Sequence, residues 1–413
     1  MLCSGVAAQM AQVAIGWQVY SIHHSAFDLG LIGLAEFVPV LLLALPAGQL
    51  ADHASRVALL IVTGFADAAV VVLLLLVTIR GAHQLWQFIA LAALTGAIAA
   101  LGAPAGRSLV PEIVPADLLT GAIALRSIAF QAATIAGPAV GGLLFAIRPE
   151  AVYGADVALL VVSSLVLLPI TRPESVPRSA VEPPRLQALF AGIGLIRSTP
   201  IVLGAITLDL FAVLFGAAVA LLPLFAKSIL HTGPFGLGVL RSAIAVGALV
   251  AGLMLARKPL GGRAGRTLLV VVGLFGASMI VFGLSRWFWL SFLALAVSGF
   301  VDMFSMNIRG TAVALATPNA LRGRVTAVEN VFIGASNELG AFESGAAAAL
   351  LGAVPAVVAG GVLTILLALV WPRLFPALAR VDRLEDVRPS AAGPGEVLPV
   401  GGRRPATAPE PAD

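Results

Sequence analysis

Apolar residues run in blocks of about twenty, separated by short breaks rich in glycine, proline and charge. At 1.5 Å of rise per residue, twenty helical residues match the ~30 Å hydrocarbon layer of a bilayer, so each block reads as a membrane-spanning helix. Twelve spans are predicted, at approximately 2–22, 30–51, 57–79, 85–105, 118–146, 152–170, 201–225, 234–256, 266–284, 287–308, 326–350 and 354–375. A β-barrel would show short alternating segments instead, and the sequence has none. The longest polar gap, 171–200, is rich in proline, arginine and serine and divides the spans six and six. The expectation is an all-α integral membrane protein with a six-helix bundle over 1–170, a cytoplasmic linker over 171–200 and a second six-helix bundle over 201–379. The proline- and alanine-rich segment 380–413 is expected to be a disordered cytoplasmic tail. Met1 opens almost directly into the first apolar block with no basic lead, so a cleaved signal peptide is not expected and a start site placed too late is one reading.

Composition strengthens this picture. Of 413 residues, 59% are apolar and 11% charged, with a mean hydropathy of +1.02; soluble domains carry about 25% charged residues. The single cysteine, Cys3, excludes a disulfide framework or a cysteine metal site within one chain. His23, His24, His53, His83 and His231 are all read in loops, without metal-type spacing on a helix. With no Ser/His/acid set and no phosphate-cradling glycine loop either, no enzyme, cofactor or metal is expected.

The net charge of +4 speaks to topology and not to nucleic acid, because the bases are spread along loops. Counted from an inside N-terminus, one set of loops holds Arg56, Arg107, Arg172, Arg178, Arg185, Arg197, Arg257, Lys258, Arg263, Arg266, Arg309, Arg322 and Arg324. The opposite side receives only Arg80, Arg148, Lys227 and Arg286. The positive-inside rule then puts both termini in the cytoplasm. An internal repeat at a shift of 203 residues sets Pro115-Ala116-Asp117-Leu118 on Pro318-Asn319-Ala320-Leu321, Gly137 on Gly340 and Gly142 on Gly345. Two related halves are the implied architecture.

Charges within the apolar blocks are the first candidates for chemistry, since each costs roughly 2.5–3.5 kcal/mol at a helix centre on insertion scales. They are Glu36, Asp67, Asp209, Arg241, Asp302, Glu338 and Glu343, with Arg126 and Glu329 nearer helix ends. An excess of buried acids suits a proton or cation path, while a structural ion pair, for instance of Arg241 with one of the acids, is the alternative. Helical spacing also aligns Asn330, Asn337 and Ser344 on span 11, Ser298, Asp302, Ser305 and Arg309 on span 10, and Gln9, Gln12, Gly16 and Tyr20 on span 1. Such stripes face either a wet cavity or a neighbouring helix. Trp17, Trp86, Trp287 and Trp289 read as interface markers or core.

Three motifs carry a family resemblance. Gly48-Gln49-Leu50-Ala51-Asp52-His53-Ala54-Ser55-Arg56 is read as a polar turn in which Asp52 meets the positive end of the third helix and Arg56 pairs with Asp52 or a neighbouring helix end. It resembles the loop 2–3 signature of the major facilitator superfamily, G-x-L-A-D-R-x-x-R-basic, with His53 and Val57 standing where bases are usual. Gly137-Pro138-Ala139-Val140-Gly141-Gly142 resembles the G-P-x-x-G-G antiporter signature of span five in exporters of that superfamily. The glycines also make a generic close-packing face. Val13 to Tyr20, Leu321 to Val325 and Ser336 to Gly340 look like the enterobactin-exporter-like branch of bacterial efflux transporters.

The resemblance implies a multi-pass protein of the bacterial inner membrane that exports small amphipathic molecules, siderophore or drug-like, in exchange for protons. Its implied partners are a small-molecule substrate, protons and the lipid bilayer, and a monomer is expected. Gly48, Asp52 and Arg56 would gate; Gly137, Pro138, Gly141 and Gly142 would form the span-five motif. Glu36, Asp209, Arg241, Asp302, Asn337, Glu338 and Glu343 would line the substrate and proton path. Many such antiporters carry an arginine within span 4, whereas Leu85–Ala105 here holds no charge. Facilitated diffusion or import without proton coupling, and a non-transporting membrane sensor, remain the alternatives.

Overall fold

The computed structural model describes residues 1–387 apart from 82–83, 116, 171–192, 217 and 259–261; the side chains of residues 44, 45, 49, 51–53 and 320 also lie outside the described set. Twelve long helices account for most of the described chain. In the first half they are α1 (Leu2–His23), α2 (Ala26–His53), α3 (Arg56–Ile79), α4 (Leu85–Ile113), α5 (Leu119–Ile147) and α6 (Pro149–Leu167). In the second they are α7 (Pro200–Gly216), α8 (Pro234–Arg257), α9 (Ala264–Leu284), α10 (Phe288–Ala316), α11 (Asn319–Leu351) and α12 (Ala353–Leu374). Among the described residues, ten helices are long and apolar enough to cross a membrane by length and composition. The other two are α1, diluted by three glutamines, and α11, which carries Arg322, Arg324, Glu329, Glu338 and Glu343.

Several predicted ends move. Helices α4, α10 and α11 extend by seven or eight residues beyond their apolar blocks, to Ile113, Ala316 and back to Asn319. Arg309, read as a loop base, is therefore inside α10 and buried. Helix α2 runs to His53, and α3 is capped by Ser55, whose Oγ accepts from the Ala58 N–H at 3.3 Å. Gly48 and the Asp52 backbone thus belong to α2, and Ser55 supplies the N-cap of α3. The Asp52 side chain lies outside the described residues. His23 and His53 close helices instead of sitting in loops, and His83 is not described.

Span seven is not one regular helix. After α7 the chain passes through a 3₁₀ turn (Ala218–Leu221), one α-turn containing Pro223 (Leu222–Leu224) and a π-turn (Phe225–Ile229). Proline removes a ladder hydrogen bond, and the ladder is re-formed with longer spacing, as in the Leu230 N–H to Phe225 carbonyl bond of 2.8 Å.

Each half packs on itself: α1 with α5 and α6, α2 and α3 with α4, and α3 with α6; then α8 and α9 with α10, α9 with α12, and α7 with α11 and α12. Two seams join the halves, α2 against α11 and α5 against α8. Residues 380–387, expected within the tail, are described: Asp382 accepts from the Arg263 N–H through Oδ1 at 2.9 Å, and its carbonyl accepts from Ala264 at 2.9 Å. This supplies to the α8–α9 turn the acid that its own sequence lacks. The linker core 171–192 and the tail 388–413 lie outside the described residues.

Candidate functional site

Glycine decides how closely the two seams approach. An added Cβ on Gly142 would strike the Pro234 carbonyl, and one on Gly238 would strike the Pro138 carbonyl, both rigid backbone. On the other face of α5, Cβ atoms at Gly137 and Gly141 would sit 2.6 Å from Gln9 Cβ and 2.8 Å from Met10 Cα. The Gly137–Gly142 motif therefore wedges α5 between α1 of its own half and α8 of the other. At the second seam Gly30 meets Phe342 at 3.1 Å and Gly345 meets the Ala26 carbonyl at 2.8 Å, measured from the same added Cβ. Side-chain bonds reinforce the join: Ser242 Oγ donates to the Ile135 carbonyl (2.6 Å), Gln131 Nε2 to the Ala245 carbonyl (2.8 Å), and Tyr20 Oη is 2.8 Å from Ser228 Oγ.

All of these contacts lie toward the end of the helices that carries few arginines. The opposite end is different. Along α5, no residue from Leu119 to Phe130 is buried, whereas Ala133, Gly137, Pro138, Gly141, Gly142 and Phe145 are. The halves are sealed together at the arginine-poor end and part toward the arginine-rich end.

Between them is a cavity of about 630 Å³. Its wall contains Glu36, Asp67, Asp156, Asp302 and Glu338, against one cation, Arg241. Arg241, on α8, donates to Gln12 Oε1 on α1 and lies within electrostatic reach of Glu36 and Glu338. Glu338 Oε2 rests against α2, 3.1 Å from where a Cβ on Gly33 would be. Three members of the span-1 stripe face the other half, Gln12 to Arg241, Gly16 to Pro223 and Tyr20 to Ser228, while Gln9 lies against Gly137 of its own half. Asn337 and Ser298 complete the polar wall, and the irregular part of span seven contributes Val219, Ala220 and Pro223.

Of the seven path residues expected from sequence, Glu36, Arg241, Asp302, Asn337 and Glu338 come together here. Asp209 does not: it is 2.5 Å from Arg309 Nη1, with both side chains buried in the second half. Glu343 lies apart as well, beside Ser344, Phe215 and Val357. Arg56 pairs with Glu112 on α4 at 2.9 Å and donates to the Ser108 carbonyl at 3.3 Å, binding α3 to α4 within one half. Sequence reasoning missed Asp156, although an aspartate in the middle of the apolar block Pro149–Leu167 is a signal of the kind that singled out the others. No group of three or more His, Cys, Asp and Glu side chains among the described residues is arranged to hold a metal.

Twelve helices in two halves around a charged central cavity define a membrane transporter of the major facilitator fold. The chain belongs to the transmembrane secretion effector family of that superfamily, whose model matches residues 1–398. It is 28% identical over 369 residues to the enterobactin exporter EntS of Citrobacter koseri, covering 86% of this chain and 87% of the relative. A staphyloferrin A transporter of Staphylococcus aureus is 26% identical over 163 residues, 39% of this chain and 41% of that protein. Among solved structures, a bacterial homolog of the human lysosomal transporter Spinster, inward-facing and occupied, superposes with a TM-score of 0.68 at 14% identity, covering 94% of this chain and 98% of that one. The nucleoside transporter NupG gives 0.66 at 14% identity, covering 91% and 96%. The chain is a multi-pass membrane transporter of a small molecule, and not an enzyme.

Proposed function

We propose that this protein exports small amphipathic molecules across the bacterial inner membrane in exchange for protons, by alternating access of the central cavity. The observation that carries the reading is the cavity itself, which lies between two halves joined at one end only and is lined by five carboxylates and one guanidinium. With the arginine-rich end in the cytoplasm, as the positive-inside rule requires, the arrangement is an inward-facing one, and both termini are cytoplasmic. The two halves, 1–170 and 201–379, rock about the cavity. Similarity to enterobactin exporters over most of the chain supports export and a siderophore-sized substrate. Gly137, Pro138, Gly141 and Gly142 serve as the seal that must part in the outward-facing state. The segment from Gly48 through Asp52 to Arg56, with Arg56 held on Glu112, stiffens the cytoplasmic end. Asp209 has a structural role on Arg309, and Glu343 lies off the path.

The test is efflux of ethidium and of iron-free enterobactin from proteoliposomes under an imposed pH gradient, with Asp302→Asn and Glu338→Gln alongside. Gradient-driven efflux that either substitution abolishes in folded protein is the expected result. Efflux indifferent to the gradient would leave a facilitator with structural carboxylates.

A further inference from the structure

Asp156 is the most completely enclosed acid at the cavity wall. Its side chain is 1% exposed, and neither Oδ1 nor Oδ2 has a hydrogen-bond partner among the described residues. Three polar side chains of this corner are committed to one another and to backbone. Tyr153, one turn away on α6, donates its hydroxyl to Gln18 Oε1 at 2.7 Å; Gln18 Nε2 donates to Thr78 Oγ1 at 3.0 Å; Thr78 Oγ1 donates to the Leu74 carbonyl at 2.8 Å. Asp67 on α3 is within electrostatic reach of Asp156, and its own Oδ1 is buried without a partner. Glu36 on α2 comes next in line after Asp67, and Arg241 lies beyond Glu36. Helix α1 faces this corner with Gln18, and α4 presents no charge between Leu85 and Ala105. Among the described residues no cation is paired with Asp156, and Arg241, the cation they place on the cavity wall, is held at Gln12 between Glu36 and Glu338.

A carboxylate left ionised in such a place costs several kcal/mol. It must gain a proton or a metal cation. A sodium-sized cation needs a shell of several oxygens, by analogy with the hard-cation sites of proteins. Here the oxygens of Tyr153, Gln18 and Thr78 already serve one another, which leaves few for such a shell. We infer that Asp156 is the proton-carrying group of this transporter, reached from the cavity through Asp67, and that it is separate from the Glu36–Arg241–Glu338 cluster that meets the substrate. The carboxylate takes one proton from cavity water by way of Asp67 and returns it by the same route, with no other bond made or broken. This rests on the proton-exchange reading proposed above. It divides the labour between halves: α3 and α6 hold the proton, and the seam with α8 and α11 holds the substrate.

Two measurements test it. Infrared spectra of reconstituted wild type, Asp156→Asn and Asp67→Asn, followed through a pH titration, report protonated carboxyl groups directly and need no substrate. The expected result is a titrating carboxyl band that shrinks by one group in Asp156→Asn and shifts its midpoint in Asp67→Asn. A band unchanged in both variants overturns the assignment. In proteoliposomes, the pH gradient is expected to accelerate ethidium or enterobactin efflux by wild type, and the acceleration is expected to vanish in Asp156→Asn. If Asp156→Asn does not fold, Asp67→Asn is expected to weaken the same acceleration. A wild type indifferent to the pH gradient overturns the exchange reading itself. A wild type that responds, with both variants responding equally, overturns this inference alone. Acceleration by a sodium gradient without a pH gradient would assign the pair to a metal cation and overturn it as well.

Discussion

Asp209 and Arg309 approach to 2.5 Å with side chains 8% and 7% exposed, inside the apolar cluster formed by Leu208, Ile308, Val313 and Trp371. Removing one member of such a pair leaves an uncompensated charge, which costs about 3–5 kcal/mol, whereas replacing both by apolar residues is often neutral. Asp302 and Glu329 remain within electrostatic reach of Arg309, so Asp209→Asn is expected to lower thermal stability in detergent toward the low end of that range. The double variant Asp209→Leu/Arg309→Met is expected to recover most of the loss and to keep gradient-driven transport. A double variant that is stable but loses transport would return Asp209 to the path. The sequence showed both residues without showing the pair. The composition signal for span 10 ended at residue 308, so Arg309 read as a loop base, while the helix continues to Ala316. Which acid meets which base depends on the rotation of α7 against α10, and neither sequence block contains that information.

Helix α5 carries its function in the contrast between its two ends. Its second part holds the glycines that admit α1 and α8, and its first part has no buried residue. Gly142→Ala puts a Cβ against the Pro234 carbonyl, a contact that no side-chain rotation relieves. It is expected to loosen the arginine-poor seal and populate the alternative state. Spin labels at Gln84→Cys and Arg286→Cys, in a Cys3→Ser background, would report a longer distance across that end. Gly154→Ala meets nothing within 4 Å and is expected to leave the distance unchanged, with a gain of up to about 1 kcal/mol from helix propensity. The motif was legible as a close-packing face because small residues at this spacing admit another backbone. Span seven was less legible. Its apolar block gives no sign that the helix changes winding after Gly216, since Pro223 alone is compatible with a simple kink.

The whole molecule is two bundles held at one end by apolar and backbone contacts, including the cluster that joins Val13 and Ala26 to Leu221, Phe225 and Leu240. A chain cut at a protease site inserted within residues 171–192 is therefore expected to stay together through gel filtration in detergent. Separation of the halves would show that the linker, and not the seams, holds them.

The sequence by itself determined the twelve helices, their six-and-six division and the family. Those signals are local: twenty apolar residues must become a helix in a bilayer, because no other arrangement of one segment satisfies its backbone there. It also placed a charge in the middle of most of the helices that matter. Only the tertiary structure decided what those charges do. It gathered Glu36, Arg241, Asp302 and Glu338 at one cavity, sent Asp209 to Arg309, and left Asp156 beside Asp67 without a partner. The physical reason is that a side chain's neighbour across a bundle is set by helix rotation and depth, and here these are fixed by where glycine lets two backbones touch.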